Sequence, residues 1–206
     1  AYLPFFKQAD NVLDVGCGRG EFLELLREAG VPSKGIDVNP EMVEQCRAAG
    51  LSVVEGDALA YLNSIEDRSL GGLVAAQVVE HLTPDYLLQF LETAYHKLRP
   101  GSPIILETIN PACWSAFFDA YLRDITHVQP LHPDTLKYLL TATGYSDISI
   151  RFSSPYPGIA KLKSVPTEMA APPELQRLTD AFNANVTNLN ELLFSNRDYA
   201  VIGSRL

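Results

Sequence analysis

Three glycines at alternate positions, Gly16, Gly18 and Gly20, follow directly on a strand-like run over 11–15 and lead at once into a helix-like run. Without a Cβ the backbone can turn tightly there and come close to a ligand. A dinucleotide loop carries its third glycine three residues after the second. Here it comes two residues later, and Asp14 stands at the end of the strand. A carboxylate in that place repels a pyrophosphate and suits a ligand bearing an ammonium group. Two further acids close strand-like runs. Asp37 follows Gly16 by 21 residues, and Asp57 lies in Glu55-Gly56-Asp57-Ala58. At the end of the second strand of a doubly wound sheet, a carboxylate reaches a ribose diol. Asp57 is set to hold a donor such as an adenine amine. Cys17, inside the glycine loop, reads as a small filler with no redox role. Three acids along one sheet edge describe an adenosine-bearing, phosphate-free, cationic ligand.

These residues need a scaffold of alternating strands and helices, and the rest of the chain supplies the pattern. Strands are expected over 11–15, 34–38, 51–55, 70–78, 103–108, 146–153 and 198–206. Helices are expected over 21–29, with Phe22, Leu25, Leu26 and Ala29 on one face, and from the Asn39 cap to Ala49. Another runs from Thr83-Pro84, with Leu87, Leu88, Leu91, Tyr95 and Leu98 at helical spacing, and a further one covers 133–143. A long helix over 174–194 carries Leu175, Leu178, Phe182, Val186, Leu189 and Leu193 on one stripe. The five prolines between 154 and 173 mark a surface loop.

The 206 residues, 47% hydrophobic, suffice for one domain over 1–206, with a ligand-binding core over 11–153 and a loop, helix and strand over 154–206. A charged fraction of 20% argues against a disordered chain. With a net charge of −9 and no long Lys/Arg cluster, a nucleic-acid partner is disfavoured. No apolar run is long enough for a membrane span, and the first ten residues do not read as a signal peptide. The chain does not begin with Met. Three scattered cysteines fit a reducing, cytoplasmic setting.

Read together, Leu13-Asp-Val-Gly-Cys-Gly-Arg-Gly20, Gly35-Ile-Asp-Val38, Gly56-Asp-Ala58, Gln77-Val-Val-Glu-His81 and Leu98-Arg-Pro-Gly101 resemble the class I S-adenosylmethionine-dependent methyltransferases over residues 11–152. The resemblance implies a Rossmann-like α/β fold: a doubly wound sheet of seven mostly parallel strands, the last antiparallel, with helices on both faces. It assigns the methionine end of S-adenosylmethionine to Asp14 and the loop of Gly16, Cys17, Gly18 and Gly20. The ribose goes to Asp37, the adenine to Val38, Asp57 and Ala58, and the sulfonium lies beside Gln77 and Val78. S-Adenosylhomocysteine would be the product. The loop Thr126-His-Val-Gln-Pro-Leu-His-Pro133 and the ending over 189–202 resemble bacterial methyltransferases found with polysaccharide-building enzymes.

For a hydroxyl acceptor a base must take a proton, and histidine suits that near neutral pH. Among the four histidines, His96 reads as solvent-facing and His132 as a structural residue at a helix start. His81 and His127 remain as catalytic candidates, with His127 as the base and Asp124 or Glu107 orienting it. Glu80, His81 and His127 also have metal-ligand chemistry. Because a Glu-His pair is common in methyltransferases that bind no metal, none is expected. Trp114, Phe117, Phe118 and Tyr121 are spaced as a helix face that either packs in the core or stacks on an acceptor. The acceptor expected is a saccharide or saccharide-lipid. The alternatives are a quinone-like or lipid precursor, or a scaffold that binds cofactor without turnover. A homodimer through the C-terminal helix is a further expectation.

Overall fold

The computed structural model of the chain describes residues 2–166 and 172–206. Residues 167–171 of the expected proline-rich loop lie outside the described residues, as does residue 1. Seven strands form one sheet in the order β3-β2-β1-β4-β5-β7-β6. They are β1 (Val12–Val15), β2 (Ser33–Asp37), β3 (Val53–Glu55), β4 (Gly72–Ala76), β5 (Pro103–Ile109), β6 (Tyr145–Pro155) and β7 (Asn196–Arg205). β7 runs antiparallel to both of its neighbours, β5 and β6, while the other neighbouring pairs are parallel. All four residues of β1 are buried, as a central strand covered on both faces requires.

Alternate strand residues feed two cores. Leu13, Leu73, Ile104, Leu106 and Val201 pack on one face against α4 (Pro84–Lys97) and α6 (Pro133–Ala142). Val12, Val74, Ile105 and Ile202 pack on the other face with Leu26 of α1 (Glu21–Glu28) and with Phe6. α2 (Pro40–Ala48) is capped by Asn39, whose side chain accepts from the Glu41 amide at 2.9 Å. Helices thus cover both faces, and among the described residues none is long and apolar enough to cross a membrane.

Several local expectations are corrected. α3 (Ala58–Ser64) lies where no helix was expected, begun by Asp57, whose carboxylate accepts from the Ala60 amide at 2.8 Å. Its apolar pattern is too short to stand out, and a single buried residue, Leu62, ties it to the core. In α1 the buried positions are Leu23 and Leu26, and Leu25 is exposed. In α4 Leu88 is exposed and Phe90 is fully buried in its stead, a burial that contributes about 1.5–3 kcal/mol. β4 ends at Ala76 because Gln77 turns to a φ of 57°, re-aiming the chain into a 3-10 turn over Val79–His81. The aromatic stretch becomes one short turn, α5 (Trp114–Ala116), continuing into a π turn over Phe117–Tyr121. α7 (Pro173–Leu193) buries only Val186, and Leu175, Leu178, Phe182 and Leu189 of its apolar stripe are exposed.

Candidate active site

A cavity of about 500 Å³ opens at the carboxyl ends of β1 to β4. The sheet order reverses between β1 and β4, the place where doubly wound sheets bind ligands. Gly16, at the end of β1, has a φ of 65° and lies against Val78, so that any Cβ there would collide with the valine methyl. The glycine therefore brings the loop and the end of β4 together as one wall. Gly20 likewise takes a φ of 84° and leaves no room for a Cβ beside Leu51.

Asp37 ends β2 on the cavity wall, where it does more than face a ligand. Its Oδ2 accepts from the Gly18 amide at 2.8 Å and its Oδ1 from the Asn39 amide at 2.8 Å. One carboxylate thus clamps the glycine loop to the start of α2 and keeps further lone pairs for a diol. Val38, 72% exposed, is the open apolar wall beside it. Asp57 and Ala58 form the opposite end of the cavity. Tyr86 of α4 donates to Asp57 Oδ2 at 2.6 Å and accepts from the Leu59 amide at 3.0 Å. This tyrosine went unnoticed in the sequence because nothing in its spacing on α4 links it to Asp57, 29 positions away.

The remaining cofactor candidates lie behind that wall or complete it. Gln77 and Val78 line the cavity next to Gly16. Asp14 does not reach the cavity surface. It is 4% exposed beneath the loop, and burial, followed by the charges of Asp37 and Glu21, pushes its carboxyl up to about 7. Cys17 is buried against Gly35, and burial pushes its thiol up, so it is an unreactive filler. The Cys46 thiol donates to the Gly18 carbonyl at 3.2 Å, a second tie on the loop.

The acceptor candidates meet at one corner. His81 lines the cavity, and its ring centroid lies 4.7 Å from that of His127. His127 is held by its Nδ1, which donates to the Tyr121 carbonyl at 2.7 Å, and by the Tyr121 ring stacked on it at 4.7 Å. His81 Nδ1 lies 3.2 Å from the Thr126 carbonyl and 3.0 Å from the Thr126 hydroxyl. That hydroxyl donates to Asp124 Oδ1 at 2.6 Å. Asp124 therefore orients His81 through Thr126, and its Oδ2 lies 3.9 Å from His127 Nε2. Glu107 is bonded by the Tyr2 hydroxyl, and the polar partners of His127 are the Tyr121 carbonyl and Asp124. Glu80 is 1% exposed, and burial raises its carboxyl above the ordinary range. His96 is exposed on α4, and His132 caps α6 by accepting from the Asp134 amide at 3.2 Å.

A sequence model of the family described as "Methionine biosynthesis protein MetW" matches residues 2–118. A solved S-adenosylmethionine-dependent methyltransferase from Archaeoglobus fulgidus is 37% identical, with a TM-score of 0.91 over 98% of this chain and 89% of that one. The chain belongs to the MetW family and to the S-adenosylmethionine-dependent methyltransferases. The human mitochondrial ubiquinone biosynthesis O-methyltransferase is 29% identical over 66% of this MetW-family chain and 41% of its own length. The chain spans about half the length of the curated relatives it matches. The MetW-family chain also shares its fold with a Haemonchus contortus phosphoethanolamine N-methyltransferase, solved in complex with S-adenosyl-L-methionine. That enzyme gives a TM-score of 0.64 at 15% identity, over 95% of this chain and 48% of its own.

Proposed function

We propose that this MetW-family chain binds S-adenosylmethionine in the β1–β4 cavity and transfers its methyl group to a hydroxyl of a small acceptor. The observation that carries the reading is the meeting of His81, His127 and Glu80 beside the cavity wall of Gly16, Gln77 and Val78. S-Adenosylmethionine supplies a methyl carbon already activated by a sulfonium, so alignment of acceptor and donor is the protein's main contribution. Asp37 holds the ribose hydroxyls, Asp57 steadied by Tyr86 accepts from the adenine amine, and Val38 covers the ring face. The buried Asp14 gives the methionine end a counter-charge from below the loop. S-Adenosylhomocysteine leaves from the same cavity.

On the acceptor side, Nδ1 of His127 is occupied by a backbone carbonyl, so Nε2 carries the free lone pair. That nitrogen takes the hydroxyl proton in the metal-free chain, and His81 holds the acceptor at the cavity mouth. The net charge of −9 supports a small-molecule acceptor over nucleic acid, and three free, buried cysteines fit a reducing cytoplasmic compartment. The exposed stripe of α7 supports self-association through that helix.

For the acceptor, a saccharide or saccharide-lipid follows from the likeness of the Thr126–Pro133 loop. A quinone-like ring is favoured by the human relative's name and by the exposed Trp114, Phe118, Leu122 and Ile125 on the neighbouring segment. Methyl-transfer assays on sugar and dihydroxy-aromatic acceptors separate the two. With the true acceptor, His127→Ala is expected to lower kcat by about 10²–10⁴-fold. Unchanged turnover would remove His127 from the chemistry, and cofactor binding without turnover on any acceptor would favour the scaffold.

A further inference from the structure

We infer that the Glu80–His81–His127 corner is a binding site for one divalent transition-metal ion. Each of the three residues presents a ligand atom, and these atoms all lie within 4.8 Å of one another. Around a zinc-like ion, ligands at 2.0–2.2 Å stand roughly 3.3 Å apart, so small side-chain rotations complete the set.

Three features make the corner a built site. The first is Glu80. It is 1% exposed, yet both carboxylate oxygens are buried without a hydrogen-bond partner. A buried carboxylate left unpartnered is unfavourable, and an ion is the partner that a carboxylate beside two imidazoles accepts. The second is the polarity of the imidazoles. Both use Nδ1 toward backbone carbonyls, His127 to Tyr121 and His81 to Thr126. That arrangement puts the proton on Nδ1 and leaves the Nε2 lone pairs free for an ion, the tautomer that metal-bound histidines use. The third is fixation. The Val128 amide donates to the Glu80 carbonyl at 2.8 Å, joining the segment that carries His127 to the one that carries Glu80 and His81.

The ligand types name the ion. Two imidazoles and one carboxylate suit zinc, iron(II), cobalt(II) or manganese(II), and are poor for magnesium or calcium, which prefer all-oxygen shells. Three protein ligands leave coordination positions open, and His81 sits on the cavity wall. An acceptor hydroxyl bound there has its proton acidity raised by the ion, so the proton leaves to water and the oxygen is presented to the methyl carbon. The role in the reaction rests on the methyl-transfer reading. The ion binding does not.

The experiment is titration of chelator-treated full chain with Co²⁺, read by visible absorption, and with Zn²⁺, read by calorimetry. One ion per chain is expected, with a spectrum free of thiolate charge-transfer bands. Affinity should fall at least tenfold in Glu80→Gln and in His127→Asn, while both variants keep the wild-type melting temperature within a few degrees. No stoichiometric binding, or binding untouched by both substitutions, would overturn the site. S-Adenosylmethionine titrated into the same samples separates the two readings. Cofactor binding without metal binding ends this inference alone, and metal binding without cofactor binding ends the methyl-transfer reading alone.

Discussion

Side chains at this site are mostly held by other groups before any ligand arrives. Asp37 clamps Gly18 and Asn39, Tyr86 holds Asp57, and Thr126 holds His81. Such pre-positioning lowers what a ligand must organise on binding. Asp14 is the exception, a buried carboxyl with its titration pushed up to about 7. A folded-state value above the ordinary aspartate value means that the folded chain keeps a proton the unfolded chain has lost. Asp14 thus contributes stability at low pH that is lost as pH rises from about 4 to 7. A cationic ligand above it favours the charged form. Calorimetry near pH 6 in two buffers of different ionisation heat should therefore show proton release on S-adenosylmethionine binding, and none in Asp14→Asn. Equal heats in the two buffers would contradict this role.

Strand ends and the glycine loop were legible in the sequence because each carries a chemical type that only one backbone position needs. Gly16 in its tight turn at a φ of 65° and Asp37 at the end of β2 are of that kind. α3 was not legible, since seven residues with one buried leucine leave no periodic signal, and only the Asp57 cap marks its start. On α1 and α4 the expected Leu26, Leu87, Leu91 and Leu98 are buried, but Leu25, Ala29 and Leu88 are exposed and Leu23 and Phe90 are buried, because spacing alone does not say how a helix is rotated on the sheet. His81 and His127 stand out in the sequence as candidates, but their partners do not. The Tyr121 carbonyl and Thr126 come from an irregular segment whose course no pattern encodes. α7 has a clear apolar stripe and yet buries only Val186. Accordingly Val186→Ala should lower the unfolding free energy by about 1–3 kcal/mol, and Leu178→Ser by less than about 0.5 kcal/mol. Urea unfolding of dilute protein measures both, and equal large losses would contradict the helix's placement.

Across the whole molecule, one sheet edge gathers residues far apart in the chain into two adjoining compartments. β1 to β4 supply the cavity proposed for the cofactor, while the turn after β4 and the segment before α6 supply the corner proposed for the acceptor. β5, β7 and β6 extend the sheet away from that edge, with Tyr199 of β7 donating to the Leu131 carbonyl at 2.7 Å and so fixing the end of the segment before α6. Calorimetric titration with S-adenosylmethionine, S-adenosylhomocysteine and NAD tests the central claim most directly. Wild-type chain should bind the first two and not NAD, and Asp37→Ala should weaken both by about a hundredfold or more, the loss of two charge-assisted hydrogen bonds to the ribose. Binding of NAD in their place, or affinity unchanged by Asp37→Ala, would contradict the account.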